Sequence, residues 1–462
     1  MHDLSIFGTS SDAGKSTLSF AITYLLHHRG ISVAPFKAQN VSNNAQVCDE
    51  GGEIAQPQYF AAESINISTT PNMNPILIKS GQEGSASLIL NGQSVGFKDV
   101  RSYYAEIDTL KTHVDRAFLA LKEKYDCIVA EGAGSPVELN LMDKDLSNIY
   151  LATRFNTKIV LVADIERGGV FASIWGVYNL LPKVLQKNVV GVIVNKFRGD
   201  ITLFDEGITI IEEQFKLKVL GVIPYQPFNL GFEDSQSLMN YTQELEQTIL
   251  KVGVIKLPHI SNFTDFEPLV ADPEVELIFV NSPSQLTHCD LIVIPGTKRT
   301  IADLKWLREK GFETIITDTS KPLLAICGGY EMLFERLLDP LGIEENAGTT
   351  IEGFNRFDGE ITFEKQKELC KGNYTIFGCD VRGYEIHHGQ TEHLSAQTHN
   401  CYGTFVHGLL ESNSFREKLF KNLNVDYQGY DFQAYKKEAI TDFTTHVDKH
   451  LDLDTIIDAL NS

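Results

Sequence analysis

The sequence has no closely spaced cysteines. Its seven cysteines over 462 residues are scattered singly, with no CxxC pair. That argues against a disulfide framework and against a zinc site, and it fits a reducing compartment. No run of about 18 apolar residues is present, so no membrane-spanning helix is expected. The opening "MHDLSIFGTSS" lacks both a basic and an apolar targeting region, so no signal peptide is expected. Internal repeats and low-complexity segments are also missing. Positive charge is in short supply: 40 Lys and Arg stand against 61 Asp and Glu, a formal charge of -21. Nucleic acid is therefore excluded as an expected partner, because binding it needs clustered cations to displace counterions. The composition is that of an acidic cytoplasmic protein. Its 43% hydrophobic share supplies real cores, and its length calls for two or three domains.

Short apolar runs alternate with helical patterns through residues 1–225. "HDLSIFGTS", "SVAPFKAQN", "DCIVAEGAG", "KIVLVADIE" and "VVGVIVNKF" each read as a buried strand entering a loop. This is the βαβ pattern of a doubly wound, mostly parallel sheet. A polar stretch, 229–250, reads as a linker. A second strand series follows: "KVGVIKLPHI", "VELIFVNSP", "CDLIVIPGT", "PLLAICGGY", "TIFGCDVRGYEIHH" and "CYGTFVHGLL". The tail, 417–462, reads as helical.

Gly8, Gly14, Lys15, Ser16 and Thr17 lie between the apolar strand "LSIF" and the helical run "LSFAITYLLHH". Strand, glycine-bearing loop and helix in that order are what a phosphate loop requires. Backbone N–H groups turn inward on phosphates, Lys15 meets the terminal phosphates, and Ser16 offers an oxygen to Mg²⁺. Five residues separate the two glycines, one more than in the common loop, which resembles dethiobiotin-synthetase-like enzymes. Three further strand ends join this ATP site: Lys37 in "APFKAQN", Glu131 in "VAEGAGS" and Asn195 in "VIVNKFRGD". Ligands gather at the carboxyl ends of strands in such sheets. Glu131 is a candidate metal ligand beside Ser16, Lys37 a candidate phosphoryl-group cation, and Asn195 a candidate reader of an adenine edge.

Cys327 stands where the strand "LLAI" is expected to turn into a helix "YEMLFERLL". A nucleophile at such a corner is exposed, and a helix N-terminus favours its thiolate. Gly328 and Gly329 permit a tight backbone, as in the nucleophile elbow. His407, just past another strand in "GTFVHGLL", is the candidate general base.

With these motifs in place the chain resembles the cobyric acid synthase family, glutamine-dependent amidotransferases of cobalamin biosynthesis. The resemblance runs from residue 4 to about 416. It rests on "GTSSDAGKS", "PFKAQN", "MNPILIK", "EGAGSPVELNL", "VADIERGGVFAS", "NKFRGD", "LPHISNFTDFEPL", "PGTKRTIADLKWLR", "ICGGYEML", "GYEIHHGQT" and "GTFVHGLLES". It implies an ATP-dependent, dethiobiotin-synthetase-like domain over 1–228, a class I glutamine amidotransferase-like α/β domain over 251–416, and a C-terminal helical tail. Cys327 would attack the glutamine side-chain amide and His407 would act as base and then acid, with N–H groups near Gly296 and Gly328 as candidates for the oxyanion hole. ATP and Mg²⁺ would serve to phosphorylate corrinoid carboxylates, and ammonia passing inside the protein would displace the phosphate. The implied substrate is adenosylcobyrinic acid a,c-diamide, amidated at its b, d, e and g side chains.

The sequence departs from the family pattern in three places. Leu409 stands where ordinary class I glutaminases carry the glutamate that completes a triad, so a Cys–His dyad is expected, with Glu411 as a candidate to orient His407. Glu331 replaces the glutamine of "GGYQML", which puts glutamine affinity in question. Gln56 and Pro57 replace arginine and alanine in "GGEIAQPQ", removing a positive charge near a polyanionic substrate. Rival readings are the sister enzyme that makes the a,c-diamide, a nucleotide-dependent binding protein with a degenerate glutaminase module, and an enzyme that draws on free ammonia.

Overall fold

The computed structural model describes residues 1–80, 85–231, 238, 248–423 and 426–462. Most of the 229–250 linker expected from the sequence lies outside the described residues. The chain divides into two compact units. The first comprises Met1–Val41, Ile54–Phe228 and Lys437–Ser462, and the second comprises Ser42–Glu53 and Asn229–Lys436. Among the described residues no helix is long and apolar enough to cross a membrane.

The first unit is built on a six-stranded parallel sheet: β1 (Leu4–Gly8), β2 (Val33–Phe36), β3 (Cys127–Glu131), β4 (Lys158–Asp164), β5 (Val189–Phe197) and β6 (Val219–Pro224), in the order β6-β5-β4-β1-β3-β2. Every residue of β1, β2 and β3 is buried, as expected of parallel strands covered on both faces. The helix Lys15–His28 buries Leu18, Ile22, Leu25 and Leu26, the i, i+4, i+7, i+8 face of an amphipathic helix.

The C-terminal residues 437–462 close on this unit instead of forming a separate tail. The Asp452 N–H donates to the Leu220 carbonyl at 2.6 Å, Lys218 pairs with Asp452 at 2.7 Å, and the ring of Phe443 lies 4.6 Å from that of Phe228. Residues 42–53 likewise leave the linear division and join the second unit. Lys367 pairs with a fully buried Glu53 at 2.7 Å, and the Asn262 amide donates to the Ala45 carbonyl at 2.7 Å.

The second unit carries its own six-stranded sheet: β7 (Leu250–Ile255), β8 (Val275–Val280), β9 (Leu291–Ile294), β10 (Leu323–Ile326), β11 (Ser395–Gln397) and β12 (Cys401–Thr404), in the order β8-β7-β9-β10-β12-β11. All neighbours are parallel except β11 against β12. Two expectations are corrected here. The helix after Cys327 is a single turn, Gly328–Glu331, and the rest of "YEMLFERLL" turns into a strand, Arg336–Asp339. Tyr330, Met332, Leu333 and Phe334 are all buried, so the segment is enclosed on every side. The carbonyls that would continue the helix are taken by a distant loop: Arg356 N–H donates to the Leu333 carbonyl at 2.7 Å and Gly353 N–H to that of Glu335 at 2.9 Å.

The segment "TIFGCDVRGYEIHH" is a hairpin, not one strand. Glu360–Ile376 and Cys379–Gln390 pair antiparallel around Phe377 and Gly378, both at positive φ (52° and 73°), the conformation of a two-residue hairpin turn.

Arg416, wholly buried in the helix Asn413–Lys421, ties the loops of this unit together. Its guanidinium donates to the Leu410 carbonyl (2.6 Å), the Asn413 side chain (2.7 Å) and the Tyr430 carbonyl (2.6 Å). Arg416→Met strands those acceptors in the interior, and a loss of about 3 kcal/mol is expected from denaturant titration followed by circular dichroism.

Candidate functional site

The carboxyl edge of the first sheet gathers the phosphate-loop residues. Gly14 adopts the left-handed conformation (φ 92°) that lets the loop enter the helix Lys15–His28. A side chain on Gly8 would collide with Lys15, whose ammonium folds back to the Ser10 carbonyl at 3.0 Å. Thr17 follows on the first helical turn, partly buried. Glu131, the last residue of β3, is 2% exposed and accepts on both carboxylate oxygens. The Ser16 hydroxyl donates to Oε1 at 2.6 Å, the Lys37 ammonium to the same oxygen at 2.8 Å, and the Gln58 amide to Oε2 at 3.1 Å. The sequence motifs thus placed Ser16, Lys37 and Glu131 at one point, but missed Gln58, which lies on the helix Gln56–Ser64.

Asn195 and Lys196 end up behind the loop. The Asn195 amide donates to the Ala13 carbonyl at 2.9 Å and so holds the loop. Lys196, at φ 60°, reaches the Asp12 carbonyl (2.5 Å) and the carboxylate of Asp164 (3.1 Å), a strand-end acid that motif reading did not single out. Gln56 is buried and its side-chain carbonyl has no hydrogen-bond partner among the described residues. No cluster of three or more His, Cys, Asp or Glu side chains suited to a metal occurs among the described residues.

In the second unit Cys327 leaves β10 with φ 51° and ψ −114°, a strained corner for a residue with a side chain. Its thiol is 5% exposed, with Sγ 3.8 Å from the Ile386 carbonyl. A one-turn helix offers little dipole to the thiol. His407, the candidate base, lies just beyond β12 and is wholly buried. Its Nδ1 lies 2.7 Å from Asp265 Oδ2, while Asp265 Oδ1 accepts the Gly408 N–H at 2.8 Å. The imidazole stacks against Tyr384, with ring centres 5.1 Å apart. Nε2 has no hydrogen-bond partner among the described residues. Burial opposes a charge on the ring, but Asp265 and Cys327 outweigh it and raise its pKa to about 10.

Asp265 is therefore a candidate third member beside the expected Cys327–His407 dyad. Glu411, the sequence candidate for that role, instead accepts from the Gln433 amide at 2.9 Å. Leu409 is buried. Gly296 packs on the imidazole: a Cβ there would stand 3.1 Å from His407 Cε1. A Cβ on Gly328 would stand 3.2 Å from the Thr297 nitrogen, so the two loops meet beside the thiol. Glu331 is buried and serves the framework. It accepts the Thr300 hydroxyl at 2.6 Å, and burial raises its pKa.

A phosphate loop on one parallel sheet and a Cys–His–Asp constellation on another define an ATP-dependent glutamine amidotransferase, a carbon–nitrogen ligase. Comparison with known proteins narrows this. Residues 4–229 match the CobQ/CobB/MinD/ParA nucleotide binding domain, and residues 251–415 the CobB/CobQ-like glutamine amidotransferase domain. A cobyric acid synthase of Acinetobacter baylyi is 56% identical over 100% of this chain and 99% of its own length. One of Mycolicibacterium gilvum is 36% identical over 99% of this chain and 96% of its own. One of Salmonella typhimurium is 36% identical over 90% and 88%. The chain belongs to the cobyric acid synthase family.

Proposed function

We propose that the chain converts adenosylcobyrinic acid a,c-diamide to cobyric acid, amidating the b, d, e and g carboxylates in turn. In the second unit His407 takes the thiol proton and Cys327 Sγ attacks the glutamine amide carbon. N–H groups of Gly328 and of the Gly296–Thr297 segment face the developing oxyanion. His407 returns the proton to the leaving nitrogen, ammonia departs, and water hydrolyses the thioester to glutamate. The buried His407–Asp265 pair beside Cys327 is the observation that carries this reading.

In the first unit a corrinoid carboxylate attacks the terminal phosphorus of ATP, giving an acyl phosphate and ADP. Ammonia then displaces phosphate to form the amide. A carboxylate alone is a poor acceptor, since oxide would have to leave, and phosphorylation supplies the leaving group. Lys15 and Lys37 balance charge on the phosphoryl oxygens in this reading, which their clustering at the sheet edge with Ser16 and Glu131 supports. Ser16 and Glu131 present adjacent oxygens that suit Mg²⁺, which keeps most of its waters and neutralises phosphate charge when bound. The seven free cysteines fit a cytoplasmic setting.

Mass spectrometry of the a,c-diamide incubated with protein, MgATP and amide-¹⁵N glutamine tests the whole sequence. Four stepwise amidations carrying ¹⁵N are expected. Cys327→Ala is expected to abolish labelling from glutamine while amidation from ammonium continues. Glutamine labelling that survives Cys327→Ala would overturn the assignment.

A further inference from the structure

The segment from Gly296 to Ile301, between β9 and the helix Thr300–Glu309, wraps the turn after Cys327. A Cβ on Gly328 would stand 2.6 Å from Thr297 Cγ2 and 3.0 Å from Thr300 Oγ1. The segment is rigidly held: buried Asp303 accepts the Thr297 hydroxyl at 2.5 Å, and the Lys298 N–H donates to the His259 carbonyl at 3.0 Å. Lys298 thus occupies a fixed position beside the nucleophile. It is partly buried, yet among the described residues its ammonium has neither an ion pair nor a hydrogen bond.

Glu344 reaches the same recess from the loop after the strand Arg336–Asp339. Its backbone N–H donates to Asp339 at 2.9 Å, and its Oε2 accepts the Ile301 N–H at 3.3 Å. It too is partly buried and in no ion pair among the described residues. The other charges here are committed: Glu331 to Thr300, Lys367 to Glu53 at 2.7 Å, Arg299 to the Glu344 carbonyl at 3.4 Å, and His388 to the Glu364 carbonyl at 3.0 Å. Desolvation holds Lys298 below its usual pKa, at about 8, with Lys367, Glu53, Glu344 and Cys327 all within electrostatic reach. It pushes Glu344 up to about 8, with Glu331, Lys298 and Arg299 around it. Desolvation thus holds both groups toward their neutral forms, and neither is in direct ion-pair contact among the described residues, so a ligand carrying both opposite charges would favour the charged form of each.

The molecule that reaches Cys327 carries an ammonium and a carboxylate on one carbon. We propose that Lys298 binds the α-carboxylate of glutamine and Glu344 its α-ammonium, so that this pair sets the selectivity of the Cys327 site for an α-amino acid amide. The inference rests on the glutaminase reading above.

Ammonia release is measured from three amides: glutamine; 4-aminobutanamide, which lacks the α-carboxylate; and glutaramate, which lacks the α-ammonium. Lys298→Met is expected to shrink the preference for glutamine over 4-aminobutanamide by on the order of 100-fold in kcat/KM, mostly through KM. Lys298→Arg keeps most of it. Glu344→Gln is expected to shrink the preference for glutamine over glutaramate by at least about tenfold. Equal losses on all three amides, or unchanged ratios in an active enzyme, would overturn the assignment of Lys298 and Glu344 alone. A wild type with no Cys327-dependent release from any amide would overturn the glutaminase reading, and the inference with it.

Discussion

Asp265→Asn is expected to lower glutamine-dependent turnover by about 10³- to 10⁴-fold while amidation from ammonium stays within about twofold. Both carboxylate oxygens of Asp265 accept: Oδ2 from His407 Nδ1 at 2.7 Å and Oδ1 from the Gly408 N–H at 2.8 Å. An amide has one acceptor and one donor. If its oxygen keeps the Gly408 N–H, its NH₂ faces Nδ1 and drives the imidazole proton to Nε2. His407 then cannot take the thiol proton. Glu411→Gln is the control, since Glu411 bonds to Gln433, and it is expected to stay within about twofold of wild type. The variant also has a pH signature. The folded pKa of His407 is raised from 6.5 to about 10 by Asp265 and Cys327 against burial. A raised pKa stabilises the fold fully below the unfolded value, and this support is lost as pH rises through the folded value. The stability advantage of wild type over Asp265→Asn should therefore be largest below pH 6.5 and fade toward pH 10. Stopped ammonia assays and denaturant titrations across that range check both effects. Glutamine turnover above one-tenth of wild type would remove Asp265 from the triad.

Cys327, His407 and the phosphate loop were legible because their signals are local. A buried apolar run ending in glycine fixes a strand end, and a strand end in a parallel sheet is where side chains meet ligands. Asp265 carries no such local signal. It lies 142 residues before His407, on the short 3₁₀ turn Phe263–Phe266, in a stretch that marks the family without pointing to one residue. Only the charge between Phe263 and Phe266, all three residues being buried, hints that a partner must be supplied from elsewhere. "YEMLFERLL" failed for a related reason. Its residues favour helix, but tertiary hydrogen bonds from Gly353 and Arg356 take the carbonyls that a helix would use. The exchange of residues 42–53 and 437–462 between the two units was equally hidden, since ion pairs such as Lys367–Glu53 and Lys218–Asp452 join positions 314 and 234 residues apart.

At the phosphate loop, Glu131→Gln is expected to lower ATP-dependent amidation by about 10³-fold and leave glutamine hydrolysis by Cys327 intact. Glu131 faces donors on both oxygens: Ser16 at 2.6 Å and Lys37 at 2.8 Å on one, Gln58 at 3.1 Å on the other. A neutral amide must set its NH₂ against one of these donors and cannot neutralise Lys37. The ammonium and the carboxylate are 5% and 3% exposed, so removing the carboxylate's charge weakens the support of a buried ammonium and is expected to lower stability. The structural and chemical roles can then be separated. In the double variant Lys37→Met, Glu131→Gln both charges of the pair are removed together, so the unfolding midpoint should return toward wild type. Amidation should not return, because both the phosphoryl-facing cation and the anionic oxygen beside Ser16 are gone. Recovery of amidation together with stability would mean that the pair only holds the fold, and the ATP site would have to be sought among other residues at this sheet edge.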